Sequence, residues 1–482
     1  MLQHSYLLQT IQDGFEIQEV VTSPGAFITY PHKAQIMHLK NAYFQTPNDL
    51  INQIISMTIK RRDFISLTAM AAATGVVTSL SSFTSNELNE TNNSAGELKS
   101  MTDNVAPISV TERSARIAKA QRLLAEQKMQ ALVLDCGTSL EYFTGIRWWP
   151  SERTMVAIIP AEGEVKYICP GFEEDRLREQ ITIGKDVFAW QEDDSPYRLI
   201  ANVFKDAGIV SGNITIEESV RFFIIDGIRK EAPYLNYVSG DPVTIPCRII
   251  KSAAEIALMQ KATDITIAAI QNSVARLKEG MSQAELSSMI MTVQNELGGN
   301  PEFALCLFGK ASAFPHGTKQ PQQLKKGDIV LLDCGCTVHG YNSDITRTIV
   351  FGAGPAKHQE EIWNLEKKAQ AAGFAAAKIG VPCEAVDAAA RKVITDAGFG
   401  PGYKLPGLPH RTGHGIGMDG HEWGNMVKGN KQLIEPGMCF SVEPTIAIPG
   451  EFGVRLEDCV YMTEEGPKWF SQPSKSIQEP FA

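Results

Sequence analysis

No basic run interrupts the body of this 482-residue chain. Nonspecific nucleic-acid binding needs clustered Lys and Arg to displace counterions, and a net charge of −10 with a pI near 5.5 argues against it. The nine cysteines show no zinc-finger spacing, and Cys334 and Cys336 are only two apart. They read mostly as small buried hydrophobes, with one or two disulfides as the alternative if the protein is exported. A strong membrane span is missing as well. The apolar run from Phe64 to about Leu80 is rich in Ala and Thr and slightly short for one. What is present is an ordinary globular composition, 43% hydrophobic and 21% charged. The length suits about two to four domains, with cores large enough to need no disulfide support.

The front of the chain reads as a targeting segment. In residues 57–82, Lys60-Arg61-Arg62 leads into the apolar run, which is the form of a signal peptide. Arg61-Arg62-Asp63-Phe64-Ile65 resembles the twin-arginine export signal of bacteria. A signal opens a chain, yet residues 1–56 precede this one; translation from Met57, with 1–56 as an upstream extension, accounts for them. A precursor whose N-terminal sequencing begins at Met1 contradicts that reading. The alternatives are a buried amphipathic helix and an uncleaved membrane anchor. Residues 83–106 are polar, poor in large apolar side chains, and read as a linker. The expected location is the bacterial periplasm, reached through the twin-arginine machinery without stable membrane insertion after processing, or the cytoplasm if the signal is not used.

Two blocks follow. In residues 107–248 short apolar runs (Ala131-Leu-Val-Leu, Met155-Val-Ala-Ile-Ile, Val165-Lys-Tyr-Ile-Cys, Asn213-Ile-Thr-Ile) alternate with helical stretches, one from Ser114 and one over 217–230. That alternation predicts an α/β layer, and no cluster of catalytic residue types stands out in it. In residues 249–470 the spacing of Ile256, Met259, Ala262, Ile265, Ile267 and Ile270 predicts a helix over 253–278. A second helix starts at Ser282, with Glu285 completing a capping box. Strand-like runs follow at 303–308 and 328–336. Helices over 356–379 and 383–397 and further strands to 462 repeat that order without a residue-level repeat. Residues 471–482 read as a C-terminal tail.

The chemistry lies in the second block. Ile329-Val-Leu-Leu-Asp333 places an acid directly after four apolar residues, where a carboxylate is costly without a cation or hydrogen-bond partner. Two strands of a hairpin bring Asp344 beside it, and adjacent carboxylates need a shared proton or a metal. Three glycines surround His414 in His410-Arg-Thr-Gly-His414-Gly-Ile-Gly and let the backbone approach closely. His is a frequent ligand for divalent transition metals. His421-Glu422 follows, so three of nine His fall within twelve positions. Glu443 and Glu457 sit in strand-like contexts; Arg455 and Glu457 share a strand face, while Asp458 points away and reads as structural. Singly each residue has a bland reading. Together, four carboxylates and a His are hard to explain without cations.

Asp333-Cys-Gly, Ser343-Asp344-Ile-Thr-Arg-Thr, Gly413-His414-Gly-Ile-Gly, Val442-Glu443-Pro and Val454-Arg455-Leu-Glu457-Asp resemble, in order and spacing, the metal motifs of the creatinase/aminopeptidase ("pita-bread") superfamily, in its Xaa-Pro aminopeptidase and prolidase branch. Less specifically, Tyr142-Phe-Thr-Gly and Arg248-Ile-Ile-Lys-Ser resemble its creatinase-like N-terminal domain and the domain join. The resemblance implies an α+β protein: a curved, mostly antiparallel sheet with helices on its outer face, over 249–470, preceded by a smaller α/β domain over 107–248. It implies that Asp333 binds one metal, His414 and Glu443 the other, and Asp344 and Glu457 both. The oxygen-rich set suits two manganese ions, with cobalt, iron or zinc as alternatives. The implied reaction is attack of a metal-bridging hydroxide on the peptide carbonyl before proline, with Glu443 shuttling the proton. His316 matches a family His lining the cleft. His410 and His421 match others that stabilise the tetrahedral intermediate or hold the substrate. Arg455 orients Glu457 or binds a substrate carboxylate, for which Lys428 and Lys431 are further candidates. A homo-oligomer is expected of the family.

The chain departs from the family at Thr445 and Ala447, where Gly and Tyr are common, and this leaves the substrate open between aminopeptidase and dipeptidase. Creatinase itself lacks the metal set, and methionine aminopeptidase lacks the large N-terminal block. A dimethylsulfoniopropionate lyase of the superfamily carries an extra Asp where this chain has Gly335. A non-enzymatic binding module is expected to lose ligands, and none is lost.

Overall fold

The structure, a computed structural model, describes residues 98–481. The expected extension, signal segment and first part of the linker lie outside the described residues. Among the described residues no helix is long and apolar enough to cross a membrane.

The first lobe is a six-stranded mixed sheet. Its strands are β1 (Met129–Asp135), β2 (Val156–Pro160), β3 (Lys166–Pro170), β4 (Asp186–Trp190), β5 (Asn213–Ile216) and β6 (Asn236–Ser239), in the order β4-β3-β2-β1-β5-β6. Alternation along β1 sends Leu132 and Leu134 to one face and Ala131 and Val133 to the other. The first face is covered by α1 (Val110–Glu126), α2 (Thr138–Thr144) and α6 (Asp241–Arg248). The second is covered by α4 (Pro196–Asp206) and α5 (Phe222–Glu231); α3 (Glu174–Arg178) lies at the edge. This is the α/β layer the alternation predicts. The helix expected over 217–230 starts only at Phe222, because the Glu217 carboxylate accepts the Ser219 N–H at 2.9 Å and holds that stretch in a turn.

The second lobe runs through the helix–helix–sheet order twice. Capping boxes at Ser252/Glu255 and Ser282/Glu285 open α7 (Ala253–Val274) and α8 (Gln283–Glu296). The first helix ends short of 278, where the N–H groups of Arg276 and Leu277 turn to carbonyls three residues back. An antiparallel sheet follows: β7 (Asn300–Phe308), β8 (Ile329–Val338), the short β9 (Tyr341–Asn342) and β10 (Ile345–Val350). Then come α9 (Lys357–Ala376) and α10 (Glu384–Asp396). The strands β11 (Gly413–Gly415), β12 (Glu422–Met426), β13 (Cys439–Val442), β16 (Asp458–Thr463) and β17 (Gly466–Trp469) form a second antiparallel sheet, and β14 (Thr445–Ile448) pairs with β15 (Phe452–Arg455). A bridge between Thr346 and Glu457 ties the two halves together. Trp363 anchors α9: its fully buried indole donates to the Thr348 carbonyl at 3.0 Å. Trp363→Ala would cost about 3–5 kcal/mol through lost burial and the cavity left behind.

Both ends of this lobe depart from expectation. The polar linker expected to continue to 106 is docked from Leu98 onward, with Leu98, Met101 and Val105 packed on the core and Met101 N–H bonded to the Leu297 carbonyl. The expected tail is also part of the fold. Arg347, fully buried, donates to the carbonyls of Gln472 and Pro480, and Ile477 is buried. All nine cysteines are free and buried, so the disulfide alternative falls.

Candidate metal centre

Strand alternation builds the site. Along β8, Val330, Leu332, Cys334 and Cys336 enter the core under α7 and α8, so Leu331 and Asp333 face the cleft. On β10, Ile345 and Ile349 take the helix side, leaving Thr346 and Thr348 beside Asp333; the register pairs Thr346 with Asp333. On β13, Phe440 and Val442 are in the core, and Ser441 and then Glu443 face inward. His414 is set by close backbone contact: a Cβ on Gly413 would overlap the Ser441 carbonyl, and one on Gly415 the Trp423 carbonyl. The glycines around His414 are therefore required by the pairing of β11 with its neighbours.

The sequence-expected residues converge. Asp333, Asp344 and Glu457 each offer an oxygen within 4.8 Å of the others, as do His414, Glu443 and Glu457 with their ligand atoms. His414 Nδ1 donates to the Gly415 carbonyl at 3.0 Å. Its Nε2 lies 3.2 Å from Glu443 Oε1 and 3.6 Å from Asp344 Oδ2; with a proton there it donates to Glu443, and without one it turns to the acids the lone pair a ligating imidazole needs. Ser441 Oγ bonds Glu443 Oε1 at 3.2 Å.

The charges do not balance. Burial first, then the neighbouring carboxylates, push the Asp344 and Glu457 carboxyls well above the usual range. Burial also raises Asp333, against the opposing pull of Arg455. Glu443 behaves differently. Burial opposes its ionisation, but the hydrogen bond and charge of His414, with His410 and Arg455 behind, hold it down at about 2. Asp333 Oδ1 and Glu457 Oε1 are buried and have no hydrogen-bond partner. Orphaned carboxylate oxygens in one buried cluster, beside an imidazole nitrogen, fit divalent cations.

Arg455 is not free to take a substrate carboxylate. Its buried guanidinium bonds Asp333, the Thr346 hydroxyl at 3.0 Å and the Pro315 carbonyl at 3.3 Å. It reaches Glu457 only through Thr346, whose hydroxyl donates to Glu457 Oε2 at 2.7 Å. The single strand expected to carry both residues is broken, since β15 ends at Arg455 and β16 starts at Asp458. Asp458 points away, into a buried pair with Arg347 at 2.7 Å. Lys431 is turned to Glu384. His316 is exposed on the loop after Phe314-Pro315. Its charge, after burial and larger neighbours, adds to the lowering of His410 and His421. The His421 ring packs on His414 at 4.0 Å, and burial of its inner edge followed by the charges of His414 and Arg411 lowers it to about 4.

Thr346, Ser441 and Arg411 join the site with no motif to announce them. Alternation on β10 was the available signal for Thr346; Arg411 carried none beyond lying between two site histidines. In sequence Glu422 reads only as part of the His421 loop. Glu422 is instead the hub of the lobe junction: Arg248 reaches it at 2.6 Å and Lys251 at 2.7 Å, and Arg248 also holds Asp419 at 2.7 Å. Burial opposes its ionisation, yet those two cations hold it at about 2.

Comparison with known proteins assigns both lobes to known families. Residues 257–464 match the model of metallopeptidase family M24, and residues 116–250 match the creatinase/prolidase N-terminal domain. An uncharacterized peptidase of Schizosaccharomyces pombe is 34% identical over 393 residues, covering 77% of this chain and 83% of that protein. The crystal structure of a prolidase from Thermococcus sibiricus superposes with a TM-score of 0.69 at 30% identity, over 76% of this chain and 98% of that one. A dipeptidase from Mycobacterium ulcerans gives 0.70 at 30% identity, over 76% and 97%. The chain belongs to metallopeptidase family M24, the pita-bread metallopeptidases, with a creatinase-like N-terminal domain before the catalytic one.

Proposed function

We propose that the protein hydrolyses the Xaa-Pro bond of peptides or dipeptides, using two divalent metal ions held by Asp333, Asp344, His414, Glu443 and Glu457. The observation that carries this reading is the pair of buried, partnerless oxygens on Asp333 and Glu457 within one carboxylate cluster. Four carboxylates with one imidazole favour manganese, with cobalt, iron or zinc as alternatives. When bound, such ions supply Lewis acidity and an activated water at neutral pH. Glu443, ionised and touched by Ser441, is the group on this chain that takes up and returns a proton. Arg455 and Thr346 hold Asp333 and Glu457 in place. His410, His421 and His316 flank the carbonyl side of the cleft. Proline is accepted because the imide nitrogen has no hydrogen and asks for no acceptor there. The prolidase and dipeptidase among the solved relatives support this substrate class.

The lyase reading loses ground at Gly335. A Cβ there would collide with Phe303 and the Ser343 carbonyl, so the position has no room for an aspartate. The test is turnover of Ala-Pro and Ala-Pro-Ala by the manganese-loaded protein with metal content verified. Cleavage of at least one is expected, and cleavage of neither overturns the proposal. Export through the twin-arginine machinery belongs to the same proposal and rests on Arg61-Arg62 and the apolar run behind them.

A further inference from the structure

Arg411 stands between two site histidines and touches both. Its carbonyl meets His410 Nδ1 at 2.7 Å, and its guanidinium Nη2 meets His421 Nδ1 at 3.2 Å. A carbonyl oxygen only accepts and a guanidinium only donates. His410 must therefore carry its hydrogen on Nδ1, whereas His421 must leave Nδ1 bare and, as a neutral ring, carry its hydrogen on Nε2. The Thr445 hydroxyl, 3.0 Å from His410 Nε2, then donates to that bare nitrogen.

We propose that Arg411 is a positioning residue that sets His410 and His421 in opposite tautomers, making His421 the N–H donor to the substrate's developing oxyanion and His410 a lone-pair acceptor pinned by Thr445. The role toward substrate rests on the function proposed above; the tautomers do not.

The same contact keeps His421 out of the metal set. A ligand atom of His421 lies within 4.8 Å of ligand atoms on Asp344 and His414, close enough to resemble a third ligand group. With Nδ1 bonded to Arg411 and Nε2 protonated, neither nitrogen has a lone pair for a cation. Arg411 has no carboxylate partner at ion-pair distance among the described residues, so its full charge also opposes a cation there.

The test uses the full chain loaded with zinc, which is diamagnetic, and nitrogen-15 ring correlations of the histidines. His421 is expected as the Nε2–H form and His410 as the Nδ1–H form; an Nδ1–H form of His421 in the unmodified protein overturns the proposal without any variant. Arg411→Met removes the donor and keeps the backbone carbonyl, so His421 should lose its single tautomer while His410 keeps its own. Its kcat on Ala-Pro should fall roughly tenfold to a hundredfold with KM unchanged, as for other residues that orient a site group. Added guanidinium ion or Arg411→Lys should restore part of it. An unchanged His421 spectrum with unchanged kcat in Arg411→Met also overturns the proposal. Failure of the unmodified protein to cleave any Xaa-Pro substrate would strike the proposed function alone, since the ring spectra still decide the tautomers.

Discussion

Two acidic clusters are buried in the second lobe, and they are opposites. At the lobe junction Glu422 meets Arg248 and Lys251, and its carboxyl is held at about 2. In the cleft Asp333, Asp344, Glu443 and Glu457 share one guanidinium, Arg455; Asp344 and Glu457 are pushed well above the ordinary range, and two oxygens lack partners. A buried acid answered by the chain's own cations is a structural clasp. A cluster left short of positive charge is built for ions from outside. Glu366 marks the boundary of that rule. It is fully buried and its carboxyl is raised by burial, but among the described residues it belongs to none of the metal-competent groups, so a proton suffices for it.

Exchanging single carboxylates would test the contrast hardest. Glu443→Ala should lower kcat/KM on a cleaved Xaa-Pro substrate by about a thousandfold or more, through lost proton transfer and lost metal. Asp344→Asn should do the same, yet in the metal-free protein it should raise resistance to denaturant, because it relieves repulsion. Glu422→Gln should reverse the pattern, costing about 3–5 kcal/mol of stability by leaving Arg248 and Lys251 underpaired. If Asp344→Asn destabilises the metal-free protein and Glu422→Gln does not, the distinction between the clusters collapses.

Acid titration of the metal-free and metal-loaded forms sharpens the same point. Glu422 is depressed from an ordinary 4.5 to about 2, so its contribution is complete above 4.5 and is lost as the pH falls toward 2. That contribution is on the order of 3 kcal/mol. Asp344 and Glu457 are shifted the other way. Without metal their folded forms favour protonation, so stability should increase as the pH falls from neutral toward 4.5 and then decline as Glu422 titrates. Bound metal should abolish the first slope, because the carboxylates are then neutralised by cations. Denaturant midpoints across pH 2–8 with and without chelator would reveal it; parallel curves would contradict it.

Much of the site was legible because strand alternation is a local property. Apolar runs around Asp333, Glu443 and Glu457 announced acids in a core, and the glycines around His414 announced a tight backbone approach. Three of the four helices expected at stated bounds keep their position to within a few residues, since amphipathic spacing and the caps at Ser252 and Ser282 are written in adjacent positions. What stayed hidden depended on distant partners. Nothing near Glu422 announces Arg248, 174 positions away, and nothing near Arg347 announces the carbonyl of Pro480. The order of residues 98–106 was hidden for the same reason: a few apolar side chains in a polar stretch gain a binding surface only once Leu297 and its neighbours are folded.

The smallest effect separates the regions most finely. Thr445 and Thr412 are both buried threonines near Glu443, and each spends its hydroxyl on one partner. Thr445 bonds His410 Nε2 at 3.0 Å, whereas Thr412 bonds Asp387 Oδ1 at 2.8 Å in a pair closed by Arg391. Valine at either place keeps the β-branched shape a strand-like backbone favours and removes one hydrogen bond, worth about 0.5–1.5 kcal/mol. In Thr412→Val that loss should appear in the denaturant midpoint with kcat unchanged. In Thr445→Val it should appear as a roughly twofold to tenfold fall in kcat, because the His410 ring then keeps only its Nδ1 bond to the Arg411 carbonyl and swings about it. Equal behaviour of the two variants would mean that Thr445 is only a packing residue.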